Sequence, residues 1–466
     1  MTQTPWLGFS IDRTSPIPIF EQICTAMRAA IAAGELRQGQ RLPATRVFAT
    51  ELGLSRSTVV TAYEQLVAEG YLQSVQGSGY TVCAMGEVEL ESTRVNPQDE
   101  TAETKRLAVP FESGQPDMRL FPYRQWAKAV ARVCRTNPEA MLIGGGPFGN
   151  FDLRRAIAAH VADWRGIQAS GHQVIVTAGS SDALDICLRG LAQNGDTIGI
   201  ETPGYQPIHH FAQTQGLKSH WLAIDAGGAQ LPQSQPTPRV VVLTPSHQYP
   251  LGGAMTPSRR QEFIRWADVN NSWIIEDDYD SEFRYAGRPI PAMAGFDQLN
   301  RTVYIGSFSK IFSNALRLGY IVAPRDLMDR FRGAIRQTGL RASYMPQQAL
   351  ADFMESGEFY RHLRRVRRVY GERRRYLLDR LAQDFEKFGQ FQDHQAGMQV
   401  VFHLKGGLRD TTVAARAQNL GVDIEALSEC AFVPRGENGL ILGFCGYQIQ
   451  DMSAALDRLK LCFAPD

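Results

Sequence analysis

The sequence predicts two classes of structure in one chain: a small helical module closed by a β-hairpin, then a large α/β body on a largely parallel sheet. Three observations predict it. Three short helical patterns, each stopping at a glycine, fill residues 19–70; an acidic stretch poor in apolar residues occupies 85–108; and apolar strand-like runs alternate with helical stretches beyond Phe111. With 466 residues and 44% hydrophobic content, the chain has material for two or three cores. The 49 Lys+Arg against 48 Asp+Glu leave a formal charge of +1, so no global field points to nucleic acid or membrane, and any DNA contact must be local. Seven cysteines without a CxxC spacing argue against a disulfide framework and a cysteine zinc site. The opening MTQTPWLGFSIDRT has no basic region followed by an apolar core, and nowhere do about 18 apolar residues run together. A cytoplasmic protein is therefore expected, neither secreted nor inserted in a membrane.

In the first helix, Ile19, Phe20, Ile23, Met27, Ala30 and Ile31 recur at helical spacing up to Ala33, and Gly34 follows as a C-cap. A second helix runs from Thr45 to Leu52, after Pro43, and stops at Gly53. Ser55 caps a third, Arg56 to Glu69, with Val59, Val60, Tyr63, Leu66 and Val67 on its inner face. The step Leu52-Gly53-Leu54-Ser55 is the tight turn of a helix-turn-helix. Residues 71–75 and 80–82 then flank Gln76-Gly77-Ser78-Gly79, a hairpin whose Gly77 and Gly79 permit close backbone approach to a groove. A winged helix-turn-helix over 1–84 is the result. Its third helix offers Arg56, Ser57 and Thr58 in the first turn, where recognition helices reach base edges, and Ser55 beside a phosphate. Charge does not support this reading: Arg13, Arg28, Arg37, Arg41, Arg46 and Arg56 are matched by Asp12, Glu21, Glu35, Glu51, Glu64 and Glu69. A protein-interaction module remains an equal alternative on composition alone.

Residues 85–110 read as a flexible acidic linker or a soluble spacer. In the body (111–466), strands are expected at 174–176, 197–200, 240–243, 273–275, 303–305 and 318–322. Their ends carry the chemistry. Thr177-Ala178-Gly179-Ser180-Ser181-Asp182, ahead of a helix from Ala183 to Leu191, offers hydroxyls and amides to a phosphate. Glu276-Asp277-Asp278-Tyr279 follows a buried strand, where carboxylates need a charged partner or a metal, and magnesium is the competing reading. Gly306-Ser307-Phe308-Ser309-Lys310 places an amine at a sheet mouth, with Arg317 seven residues on. One phosphorylated aldehyde cofactor with a pyridine nitrogen uses all three sites.

Two resemblances sharpen this. The string IFEQI through GSGYTV resembles the winged-helix domain of GntR-type regulators, which implies DNA contacts by Arg46, Arg56, Ser55, Ser57 and Thr58, and more weakly by Arg41. In the body, TAGSSDALD, ETPGYQP, TPSHQYPLGG, IIEDDYDSEF and GSFSKIFSNALRLGY, in this order, resemble the fold-type I aminotransferase-like domain of MocR/GabR-type regulators. That resemblance implies a parallel-sheet large domain with a smaller C-terminal α+β domain, pyridoxal 5'-phosphate as cofactor, and a homodimer. It implies further that Lys310 forms the internal aldimine, Asp277 pairs with the pyridine nitrogen, Tyr279 bonds the ring oxygen and Tyr205 stacks on the ring. Ser180, Ser181, Ser307, Ser309 and Arg317 would surround the phosphate, with His247 and Gln248 near the ring. Two departures stand out: Ile143-Gly144-Gly145-Gly146-Pro147-Phe148 lacks the tyrosine common before the glycine matched by Gly149, and Asn314 replaces a frequent proline.

Aminotransferases of this fold usually place an arginine on a late strand to grip a substrate carboxylate, and Gly439 to Phe444 has none. Arg435 could substitute, or be a solvated loop residue; with His247 it completes the candidate effector contacts. The arginines at 361, 364, 365, 367, 368, 373, 374 and 375 form a helical run that could meet DNA phosphates and more often is a solvated face with local ion pairs. The sequence thus favours a regulator that binds double-stranded operator DNA and senses a small amino compound through exchange at Lys310. An aminotransferase with an accessory DNA-binding domain is the alternative, and a cofactor-free dimerisation scaffold is a weaker third.

Overall fold

The computed structural model describes residues 11–75, 79–84, 109–139, 145–298, 300–339 and 341–464. Gly77 of the wing tip and nearly all of the linker lie outside these, as do Ile143 and Gly144. The chain divides into two compact units, Met1–Lys105 and Arg106–Asp466.

In the first unit, α1 (Ile19–Ala32), α2 (Thr45–Leu52) and α3 (Arg56–Ala68) precede an antiparallel hairpin of β1 (Leu72–Val75) and β2 (Gly79–Val82), in which Leu72 lies opposite Val82. The helix ends fall within a residue of those the sequence predicts. Gly53 takes φ 63°, a left-handed value that a glycine adopts without penalty, and so allows α2 to stop and the chain to turn into α3. Ile23, Met27, Phe48, Leu52, Val59, Tyr63 and Leu66 form the core. Val60 and Val67 are only half-buried, while Ala62 is buried with Val59 and Leu66. The buried stripe of α3 is thus Val59, Ala62, Tyr63 and Leu66, shifted from the predicted one by exchanging Val60 and Val67 for Ala62. The wing also gains a third edge: Leu42 N–H donates to Tyr80 O (2.9 Å), Gly39 N–H to Val82 O (2.9 Å), and Arg41 bridges Thr81.

The body is built on β3 (Val174–Thr177), β4 (Thr197–Thr202), β5 (Lys218–Asp225), β6 (Gly228–Ala229), β7 (Val240–Leu243), β8 (Trp273–Asp278), β9 (Thr302–Ser307) and β10 (Gly319–Val322). They form one eight-stranded sheet in the order β3-β10-β9-β8-β7-β4-β5-β6. Pairings among β5, β4, β7, β8 and β9 are parallel, as expected; β10 is antiparallel to both neighbours. The connection 308–318 explains the exception, being too short for the crossover helix that a parallel return needs. Every residue of β3, β4, β7, β8, β9 and β10 is buried, as a sheet covered on both faces requires. A second, antiparallel sheet of β11 (Gly389–Phe391), β12 (Gln399–Leu404), β13 (Glu425–Ala426) and β14 (Gly439–Gly443), ordered β11-β12-β14-β13, belongs to the smaller C-terminal part.

Three helices bear on function: α4 (Phe151–Arg165), α5 (Ser180–Leu191) and α6 (Glu358–Asp384). The arginine run lies on α6 but is not simply a solvated face. Arg373 and Arg374 are buried, and Arg373 pairs with Asp117 at 2.7 Å while Arg374 pairs with Asp393. Burial follows from helical spacing, which turns these two positions toward the core side that also carries Tyr370 and Leu377. No described helix is long and apolar enough to cross a membrane, and all seven cysteines are free.

Candidate functional site

Strands β3, β4, β7, β8 and β9 end at one edge of the sheet, where open α/β folds bind ligands. A cavity of about 430 Å³ opens there. It is lined by Ser180 and Ser181 after β3, Tyr205 after β4, Asp277 and Tyr279 at the end of β8, and Ser307, Ser309, Lys310 and Arg317 between β9 and β10. Apart from His247 and Gln248, the body residues that the sequence assigns to the cofactor therefore line one cavity. A larger depression of about 630 Å³, lined by Arg284, Arg367, Arg374 and neighbours, contains none of them.

Alternation along β8 sorts its acids. Glu276 and Asp278 face one side of the sheet and are satisfied there: Glu276 accepts Met293 N–H (2.9 Å) and Ala294 N–H (2.8 Å), while Asp278 pairs with Arg165 of α4 at 2.6 Å and accepts Tyr304 Oη at 2.7 Å. Asp277 faces the other side. Its Oδ1 is buried with no hydrogen-bond partner among the described residues, and burial, reinforced by Asp278, Glu201 and Asp280, pushes the carboxyl up to about 7. Such a group needs a cationic partner from a ligand. Among the described residues no group of three or more His, Cys, Asp or Glu side chains could hold a metal ion.

Lys310 Nζ donates to Gly114 O at 2.7 Å, and burial lowers its pKa, which enriches the neutral amine that attacks carbonyls. At the other end, α5 starts at Ser180, three residues earlier than predicted, because Gly179 ends the loop at φ 95°, outside the range of ordinary side chains. Gly319 permits the close passage of β10, since a Cβ there would lie 2.8 Å from the Gly179 carbonyl carbon. The first-turn amides of α5 and the hydroxyls of Ser180 and Ser181 thus face the cavity alongside Arg317, a natural anion site. Together the lining matches a molecule with a carbonyl, a protonatable ring nitrogen and a phosphate.

Two predicted effector contacts fall elsewhere. His247 is buried behind Tyr279: its Nδ1 lies 2.9 Å from Asp280 Oδ2 and 3.0 Å from Tyr279 Oη, and it does not line the cavity. Its neighbour Gln248 is likewise structural, donating to Pro203 O at 3.0 Å. Arg435 is exposed on a separate depression with His220 and Trp221. It is not among the residues that line the cavity. The cavity adds residues that sequence reasoning missed, among them Ser113, Gly114, Thr244, Tyr249, Gln399 and Glu425. Only Tyr249 carried a signal, two positions after His247.

On the first unit, Arg46, Arg56, Ser55 and Ser57 are exposed on one helix-turn-helix. Ser55 Oγ accepts Thr58 N–H at 3.2 Å and lies 2.7 Å from Ser57 Oγ and 2.8 Å from Thr58 Oγ1. It is the N-cap of α3. Arg41 is exposed, with its guanidinium near Gly79.

Comparison with known proteins agrees with both halves. Residues 20–82 match the family described as "Bacterial regulatory proteins, gntR family", and residues 108–429 match "Aminotransferase class I and II". The probable rhizopine catabolism regulatory protein MocR of Rhizobium meliloti is 35% identical over 472 residues, covering 97% of this chain and 95% of that protein. The pyridoxine biosynthesis transcriptional regulator PdxR of Corynebacterium glutamicum is 32% identical, with 94% of each chain covered. Among solved structures, the α-aminoadipate aminotransferase LysN of Thermus thermophilus, complexed with N-(5'-phosphopyridoxyl)-L-leucine, is 25% identical at a TM-score of 0.69, covering 76% of this chain and 91% of that one.

Proposed function

Because this chain belongs to the MocR-type regulators, which join a gntR-family head to a class I and II aminotransferase body, we propose that it is a transcription regulator whose body holds pyridoxal 5'-phosphate and reads a small amine. The observation that carries the reading is the orphaned, buried Asp277 carboxylate in the same cavity as Lys310. Bound cofactor supplies an aldehyde that condenses reversibly with primary amines.

The chain's own residues divide the remaining work. Asp277 holds a proton on the ring nitrogen. Tyr279 hydrogen-bonds the ring oxygen and is itself fixed by His247, which Asp280 orients. Tyr205 would lie against the ring, and Ser180, Ser181, Ser307, Ser309 and Arg317 would hold the phosphate. With the cofactor bound, Lys310 would hold its aldehyde carbon and would leave as a free amine when an incoming primary amine took its place, and differential binding of that amine by two conformations would shift operator affinity. In the head, Arg46 and Arg56 with Ser55, Ser57 and Thr58 contact DNA. A homodimer pairs two heads on a two-part operator.

The test uses the cofactor-loaded full chain. Visible absorbance that Lys310→Ala abolishes, together with specific, salt-sensitive binding to the DNA upstream of its own gene in an anisotropy titration, supports the proposal. Loss of either refutes it, and sustained transamination at enzyme-like rates would favour the aminotransferase reading suggested by the likeness to LysN.

A further inference from the structure

The part of the cavity wall built from the smaller sheet is unlike a carboxylate site. Glu425 on β13 and Gln399 on β12 line it together with Ser113 and Tyr249. The Glu425 carboxylate is exposed at the cavity rim, accepts Ser113 Oγ at 2.9 Å and Tyr249 Oη at 3.3 Å, and has no cation paired with it among the described residues. Gln399, 6% exposed, has a buried Nε2 that donates to nothing among the described residues. The register places the two on one face: Gln399 is paired with Gly443 and Glu425 with Ile441, two residues apart on β14.

The cavity's only described cations are Lys310 and Arg317, and both are committed, one to the cofactor's aldehyde and the other to its phosphate. An amino acid's carboxylate would therefore enter a site with no free cation and with Glu425 facing it. An incoming donor, by contrast, finds an anionic acceptor, and an incoming acceptor finds the Gln399 amide. A second ammonium satisfies Glu425 but leaves Gln399 unpaired. Hydroxyls donate and accept, and with two strand spacings of about 5 Å between Gln399 and Glu425, separate hydroxyls are needed to reach both.

On the reading that an amine exchanges at Lys310, we propose that the effector is a polyhydroxylated primary amine without a carboxylate, selected by Glu425 and Gln399. Glu425 is then the residue that turns the body away from amino acids.

The test titrates cofactor-loaded full-length protein with glucamine, serinol, putrescine, alanine and γ-aminobutyrate, following visible absorbance and operator anisotropy. Glucamine is expected to act at concentrations at least about tenfold below those of alanine and γ-aminobutyrate, with serinol, whose hydroxyls reach one of the two groups at a time, and putrescine between, the size of effect that unpaired polar groups impose. Glu425→Arg reverses that order, an inversion that a merely structural role would not produce. Glu425→Gln shrinks the preference without reversing it, which serves should the arginine variant fail to fold. Wild-type preference for either amino acid, or an order unchanged in Glu425→Arg, overturns the inference while leaving exchange at Lys310 intact. Absence of any spectral response to every amine overturns the inference and the exchange reading together.

Discussion

Replacing Asp277 by Asn should stabilise the cofactor-free protein and weaken the cofactor-loaded one. The carboxyl is buried, and burial with its acidic neighbours raises it from an ordinary 3.8 to about 7. At 1.36 kcal/mol per pH unit this amounts to about 4 kcal/mol. The sign follows from the direction. A carboxyl raised in the folded state binds protons more tightly there than in the unfolded chain. It imposes no penalty below about pH 4, a growing one as the pH climbs toward 7, and a constant one above. Urea unfolding followed by tryptophan fluorescence reads the body, since of the six tryptophans only Trp6 precedes it. At pH 8 the cofactor-free Asn variant should exceed wild type by up to about 4 kcal/mol, and at pH 4 the two should coincide. Saturating cofactor should reverse the order, because a protonated ring nitrogen pairs with carboxylate and not with amide, so wild type gains the larger ligand stabilisation. A cofactor-free variant no more stable than wild type at pH 8, or a difference that ignores pH, refutes the assignment of Asp277 as an unpaired acid awaiting a cation.

Three further predictions concern the head and the buried framework. Ser55→Ala removes the cap of α3 and should lower its amide protection in hydrogen exchange by about 1 kcal/mol, whereas Ser55→Asp keeps the cap and should still weaken operator binding by placing a carboxylate against phosphate. Arg46→Ala should reduce the slope of log affinity against log salt by about one, and Arg56→Ala should cost about 1–3 kcal/mol and relax sequence preference if it reads a base edge, both measured by anisotropy. Arg165→Met strands Asp278 without its cation and should destabilise the body by about 3–5 kcal/mol in the same urea assay.

The helices of the head were legible because each is punctuated locally: Gly34, Gly53 and Gly70 stop them, and Ser55 starts the third. The cavity residues were legible because strand ends concentrate them, with Asp277, Tyr279, Ser307, Ser309 and Lys310 each within a few residues of a buried apolar run. What escaped depends on distant pairing. Glu425 sits on a two-residue strand with no periodic signal, and Gln399 opens a strand that reads as ordinary core; only their common neighbour β14 brings both to the cavity. The placement of His247 was hidden for the opposite reason. It adjoins cavity residues in sequence, but Asp280 and Tyr279 draw its ring behind the wall. Sequence distance from the motif misled equally for Arg435, whose loop ends at another surface.

The charge balance of the head bears on how such a body could regulate it. Six arginines offset by six acids over 1–84 give little long-range attraction, so DNA affinity depends on local contacts rather than on a general field. A binding surface of that kind is sensitive to small free-energy changes, and typical coupling between sites is only about 1–3 kcal/mol. The cavity can supply energies of this order without a catalytic cycle. Filling it pairs Asp277 and occupies the Gln399 amide, two buried groups with atoms left unpartnered among the described residues and costly in that state. A body that distinguishes ligands by satisfying buried polar groups has what a switch requires, and it lacks, on Gly439–Gly443, the arginine by which related aminotransferases grip a substrate carboxylate.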